Sequence, residues 1–272
     1  MARTKGDDGL IADDIGPWAL EKHKYLCRYI DISRATRKKY LPPQGQGGSA
    51  FFDLFCGTGR SWVRDTGQWV DGSAMAAWKT SVQGDAPFSE IYISDVDPEA
   101  LLACEARLRA AGAPVIALKL NATLAAEEMA RRVSGFGLYL AFIDPYSLEL
   151  DFKIIELLSK LKRVDMMIHI NQMDLQRNLL ENIRQESSRI DRFAPGWRDQ
   201  VNLRAPQRAI NEDVIRYWRG CVASLGKWPS AEQKLITASK NQPLYWLLLA
   251  AQHDLAHRFW SDALDDGQDN LF

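Results

Sequence analysis

The residues best suited to chemistry lie in one short run, DLFCGTGR at positions 53–60, which begins within the apolar stretch AFFDLF at 50–55. Gly57 and Gly59 let the backbone turn tightly and let a ligand approach without hindrance from a Cβ. Asp53, at the end of the strand, can hydrogen-bond a ligand amine or a loop N–H. Asp53, Phe55, Gly57 and Gly59 are therefore candidate residues for a nucleotide-type ligand. A second strand-like run, EIYISD at 90–95, ends in Asp95, placed to accept from two ribose hydroxyls. Asp97 is the better cap for a helix starting at Pro98, which leaves Asp95 for the ligand. Asp95 lies 42 positions after Asp53, longer than the usual dinucleotide spacing, so WVRDTGQWVDGSAMA (62–76) reads as an inserted loop with Gly72–Ser73 capping the helix that follows. Asn121, closing a third run, either contacts an adenine amino group or is a turn residue.

A fourth apolar run ends in Ile143–Asp144–Pro145–Tyr146. In open α/β sheets ligands bind beyond the carboxyl ends of the strands, where the strand order reverses, here between the first and fourth strands. Asp144 with a neighbouring backbone carbonyl can accept from an amino group there, and Tyr146 can stack on a flat acceptor. Asp144, Pro145 and Tyr146 are the catalytic candidates; the other reading of Asp-Pro-Tyr is a strand-terminating turn. His169, amid MMIHINQM, reads as a core histidine with no nameable partner. His253 and His257 stand at i, i+4 without the glutamate of HExxH, so no metal site is expected.

These residues need a frame. The runs 50–55, 90–95, 115–120, 138–144 and 165–171 are near-continuously apolar, as strands covered on both faces are. Helical stretches alternate with them, which predicts a doubly wound α/β fold. KLITAS (234–239) and LYWLLLAA (244–251) are too closely joined for a parallel crossover and must form an antiparallel hairpin. Five parallel strands closed by a hairpin form the class I methyltransferase sheet rather than a dehydrogenase sheet. Residues 1–49 read as an N-terminal helical extension, with one long helix from Pro17 ending at the linker PPQGQGGS. Residues 50–171 and 233–272 read as the Rossmann-like ligand-binding domain, with an acidic, frayed tail from Asp262. Residues 172–232 read as an inserted helical cap whose arginines alternate with acids, like a solvated surface. Its Phe193, Trp197, Tyr217 and Trp218 offer base-stacking faces as the alternative.

The 272 residues are 46% hydrophobic and 25% charged with a net charge of −1, which excludes an overall pull toward nucleic acid or anionic membrane. Four scattered cysteines without a CxxC pair exclude a zinc ribbon or a disulfide scaffold. The polar N-terminus has no signal-like apolar stretch and no window is long enough to span a bilayer, so a cytoplasmic protein without membrane contact is expected.

Taken together, the Trp18 helix, DLFCGTGR, DGSAM, YISDVDP, LNAT, FIDPYSLELDF and PLYWLLLAAQHDLAHRFW resemble the three-Cys-motif partner (TcmP) family. The resemblance implies a class I S-adenosylmethionine-dependent methyltransferase fold with that cofactor. It also implies a cysteine-motif, radical-type partner protein. DLFCGTG and DPY are similar to motifs of nucleic-acid amino-methyltransferases, which carry a second proline that this chain lacks. The expected reaction is N-methylation of a base or modified nucleotide. The alternative is a non-catalytic, cofactor-binding member of a complex.

Overall fold

The computed structural model describes residues 2–148, 150–237 and 243–265. The chain opens with strands β1 (Ala2–Lys5) and β2 (Ile11–Ile15), then helices α1 (Trp18–Ile32) and α2 (Arg34–Lys38). Next come β3 (Ser49–Asp53), β4 (Arg60–Val63), β5 (Gln68–Asp71), α3 (Ser73–Gln83), β6 (Glu90–Ser94), α4 (Pro98–Ala110), β7 (Val115–Leu118) and α5 (Ala122–Arg132). The second half holds β8 (Leu138–Ile143), α6 (Phe152–Ser159), β9 (Val164–Ile170), α7 (Gln172–Arg184), α8 (Arg189–Phe193), α9 (Trp197–Gln200) and α10 (Gln207–Ser224). It ends with β10 (Trp228–Thr237), β11 (Pro243–Ala251) and α11 (Asp254–Leu264).

The main sheet runs β10-β11-β9-β8-β3-β6-β7. Strands β7, β6, β3, β8 and β9 are mutually parallel, while β11 pairs antiparallel with β9 and with β10. The mostly parallel α/β sheet is the fold class that the apolar runs predict, and their continuity has a direct cause. Alternate residues feed two cores: Phe52, Ala141 and Met166 face one, and Phe51, Phe142 and Met167 the other. Each fully buried large apolar side chain contributes about 1.5–3 kcal/mol, so both faces of a central strand are mostly apolar along its middle. Helices α1, α3, α4 and α11 cover one face, and α5 to α10 the other.

Four local expectations are corrected. The expected loop at 62–76 is the β4–β5 hairpin plus the start of α3, and it joins β1 and β2 in a second, four-stranded sheet of order β1-β2-β4-β5. The N-terminal region is therefore strand before it is helix. The long first helix breaks at Ser33, where the Ile30 carbonyl accepts from the Ser33 hydroxyl (3.3 Å) and from the Arg37 guanidinium (3.1 Å); side chains that bond back to helix carbonyls bend helices. In the 172–232 region β10 already begins at Trp228. There Phe193, Trp197 and Trp218 are fully buried, with Phe193 and Trp218 stacked at 5.2 Å, so these rings hold α8 to α10 to the core and are closed to bases. Only Tyr217 is partly open, and its hydroxyl donates to the Pro195 carbonyl. Residues 238–239 of the expected strand, 240–242 of its turn and 266–272 of the expected frayed tail lie outside the described residues.

Candidate functional site

The segment between β3 and β4 is a tight loop because two residues in it are left-handed, Gly57 with φ +56° and Gly59 with φ +77°. A Cβ on Gly59 would also meet Cys104 of α4 at 3.0–3.1 Å, so glycine is required there for space as well as for φ. The loop's amides are consumed internally. Phe55 N donates to Asp53 (3.2 Å), Cys56 N to the Ser94 carbonyl (3.1 Å), Gly57 N to Asp95 (2.9 Å) and Thr58 N to Asp13 (3.1 Å). A phosphate cradle presents such N–H groups to its ligand; here all four point at the protein.

Asp53 is fully buried behind this loop, accepting from the Ser73 hydroxyl at 2.5 Å. Burial pushes its carboxyl up to about 7, against the lowering effect of the Ser73 and Phe55 hydrogen bonds. Because the folded value exceeds the ordinary one of 3.8, the native state holds a proton that the unfolded chain has already released. The contribution to stability is thus complete below pH 3.8 and is lost as pH rises through about 7. Asp53→Asn removes this loss. Thermal melts are expected to show the variant gaining on the wild type between pH 5 and 8; a constant gap would contradict the assignment.

In front of the loop, at the carboxyl ends of the strands, lies a cavity of about 930 Å³. Phe55, Gly57, Asp95, Asn121, Asp144, Pro145 and Tyr146 all line it, whereas Asp53 and Gly59 do not. The structure thus brings seven of the nine candidate residues to one space and puts the other two behind it. Asp97 caps α4 through Glu99 N and Ala100 N, as expected, and Asp95 stays at the cavity wall. Asn121 caps α5, its side chain accepting from Leu124 N at 3.0 Å.

Several lining residues escaped the sequence reading. Arg3 and Asp13 arrive from the second sheet. Asp13 is tied to the loop through the Thr58 amide and hydroxyl, and Arg3 pairs with Asp97 at 2.6 Å. Val96 and Leu124 line the mouth at 80% and 48% exposure, with Tyr146 at 74%. Exposed apolar side chains around a cavity provide faces for a flat ring. Five aspartates line the space (Asp13, Asp95, Asp97, Asp144, Asp151) against two arginines, Arg3 and Arg192. Such a lining attracts a cation and repels a phosphate.

A second cavity, of about 470 Å³, meets the first along a shared wall made of Phe55, Asp144, Pro145 and Tyr146. Trp18 and Lys22 of α1, His169 of β9 and Tyr245 of β11 line it, together with Arg64 and Arg177. Asp144 is the junction: one oxygen is held by the Lys22 ammonium, and the other lies 2.6 Å from His169 Nδ1. Burial by itself would raise the Asp144 carboxyl, but Lys22 and His169 outweigh it and keep it well below the usual range. His169, 5% exposed, is pushed down by burial against the raising effect of Asp144; the Tyr245 ring stands edge-on to it, with centroids 3.8 Å apart. The partner that the sequence could not name for His169 is Asp144. The signal lay in the order of strands, since β8 and β9 are neighbours and both residues sit at their carboxyl ends.

No family model and no curated protein matches this chain, so the resemblance to three-Cys-motif partner proteins draws no support from those comparisons. Among solved structures it is similar to an rRNA methylase from Streptococcus thermophilus, at 14% identity and TM-score 0.41, covering 86% of this chain and 95% of that one. It is also similar to TYW2 of M. jannaschii in complex with AdoMet, at 12% identity and TM-score 0.42, covering 92% and 84%. A third is the N-methyltransferase NodS of Bradyrhizobium japonicum with S-adenosyl-l-homocysteine, at 12% identity and TM-score 0.44, covering 87% and 88%. At these values the likenesses transfer no function, and the reading below rests on the chain's own site. Among the described residues no helix is long and apolar enough to cross a membrane.

Proposed function

We propose that the chain is an S-adenosylmethionine-dependent methyltransferase with a class I sheet, and that its acceptor is a base or modified nucleotide. The observation that carries this is the pair of cavities meeting at Phe55, Asp144, Pro145 and Tyr146. Methyl transfer needs the acceptor atom in line with the donor's methyl carbon and in direct reach of it, about 3–3.5 Å away, which two cavities meeting at shared residues allow. The larger, acidic cavity suits a ligand bearing an ammonium and a sulfonium. Asp95 would take the ribose hydroxyls, Val96 and Leu124 the adenine faces, and Asn121 the adenine edge. Bound there, the cofactor supplies the methyl group. A dinucleotide is disfavoured, because its pyrophosphate would face carboxylates and a loop with no free amide at 55–58. The smaller cavity offers Trp18, Tyr146 and Tyr245 to a planar acceptor, and Arg64 and Arg177 to its charged groups. A base in a duplex would enter by flipping out of the stack.

Calorimetric titration tests this. S-adenosylmethionine and S-adenosylhomocysteine are expected to bind with micromolar affinity and NAD not at all. Equal binding of NAD, or binding of none of the three, would overturn the reading. Once binding is established, labelled methyl transfer to nucleic-acid pools separates an enzyme from a non-catalytic cofactor-binding subunit.

A further inference from the structure

Asp144 sits on the wall between the two cavities, and each of its oxygens already has a partner. His169 comes from the sheet and is fixed by β9. Lys22 reaches over from α1, 122 positions earlier in the chain, with its side chain 18% exposed in the second cavity. Its ammonium is thus a nitrogen bearing N–H groups, held against the Asp144 carboxylate at the meeting point of the two cavities. Around it stand Trp18, Tyr146 and Tyr245. An acceptor nitrogen that is to donate to Asp144 from this cavity meets Lys22 already on the oxygen it would use.

We propose that the Lys22 ammonium is a placeholder in the acceptor's nitrogen seat: the acceptor presents an amino group to Asp144, and Lys22 yields the seat when it arrives. The term acceptor rests on the methyltransferase reading; the existence of an amine seat at Asp144 does not. A carboxylate so placed favours N–H donors over acids, phosphates and hydroxyl-only compounds, because a charge-assisted N–H···O bond is about twice as strong as a neutral one. Lys22 also keeps the seat from holding an uncompensated buried charge while no acceptor is bound, a state costly to folding.

The test empties the seat and refills it. Lys22→Ala removes three methylenes and the nitrogen, which n-propylammonium replaces atom for atom. Lys22→Ser is prepared beside it so that the result does not hang on one variant's folding. Thermal midpoints are measured with n-propylammonium or n-propanol up to ten times the apparent dissociation constant. Propylammonium is expected to raise the midpoint of either small variant by about 3 °C, and propanol to leave it unchanged. The wild type, Lys22→Met, and Lys22→Ala combined with Asp144→Asn are expected to be flat to both. A Lys22→Ala and Lys22→Ser response no larger than that of the wild type, or one that survives Asp144→Asn, overturns the seat. S-adenosylmethionine titration of the same preparations keeps the two readings apart. Cofactor binding without an amine response removes the seat alone. An amine response in a protein that ignores the cofactor leaves the seat standing and removes the methyltransferase.

Discussion

Asp95→Ala is expected to weaken S-adenosylmethionine binding at least 100-fold while the protein stays folded. Two consequences of the substitution add. The carboxylate lines the larger cavity, and on the proposed reading it would accept from two ribose hydroxyls, each hydrogen bond to a charged group contributing about 1.5–3 kcal/mol. It also accepts from Gly57 N and Asp97 N, both at 2.9 Å, so it holds the glycine loop to the start of α4. Asp95→Asn, which keeps an acceptor oxygen, is expected to lose less. Calorimetry reads the effect directly, and a circular dichroism melt verifies the fold. A change within threefold would mean that the ligand does not use this strand end, and the cavity would need another occupant.

Arg107→Ala is expected to cost about 2–4 kcal/mol: Asp8 is exposed and its ion pair adds little, so the loss falls on the Ile11 and Thr58 carbonyls left without their charged donor. The guanidinium, 6% exposed, grips both carboxylate oxygens of Asp8 at 2.6 and 2.7 Å and donates to the carbonyls of Ile11 (2.8 Å) and Thr58 (2.6 Å). It therefore joins α4, the β1–β2 hairpin and the glycine loop. A fall in melting temperature of about 10 °C follows from 2–4 °C per kcal/mol for a chain of this size. Cofactor affinity is expected to drop with it, since Asp13 and Arg3 reach the cavity on the strands that Arg107 secures. A melt within 2 °C of wild type would show that the second sheet is held by its own pairing instead.

The main sheet could be read because its strands are covered on both faces: Phe51 and Phe52 are each buried, in different cores, and leave an uninterrupted apolar run. Asp97 was legible as a cap because capping is local, decided within three residues. The second sheet was not legible. ARTK and IADDI have neither an apolar run nor alternation, and β1 is exposed along its length. Their partners are distant in sequence: Arg107 on Asp8 and Ile11, Thr58 on Asp13, and the pairing of β2 with β4. The same holds for Lys22: nothing near Trp18 announces that its turn of helix ends at Asp144. In the 172–232 region, charge alternation was visible and burial was not, because Phe193 and Trp218 are hidden by the α8 and α10 packing rather than by their neighbours in sequence.

The placement of β1 bears on how the protein is best handled at the bench. Ala2 lines one cavity and Arg3 the other, so a bulky affinity tag fused just ahead of them would crowd both entrances. Purification through a C-terminal handle, or through an N-terminal one removed by protease before titration, avoids mistaking a blocked doorway for a protein that binds nothing.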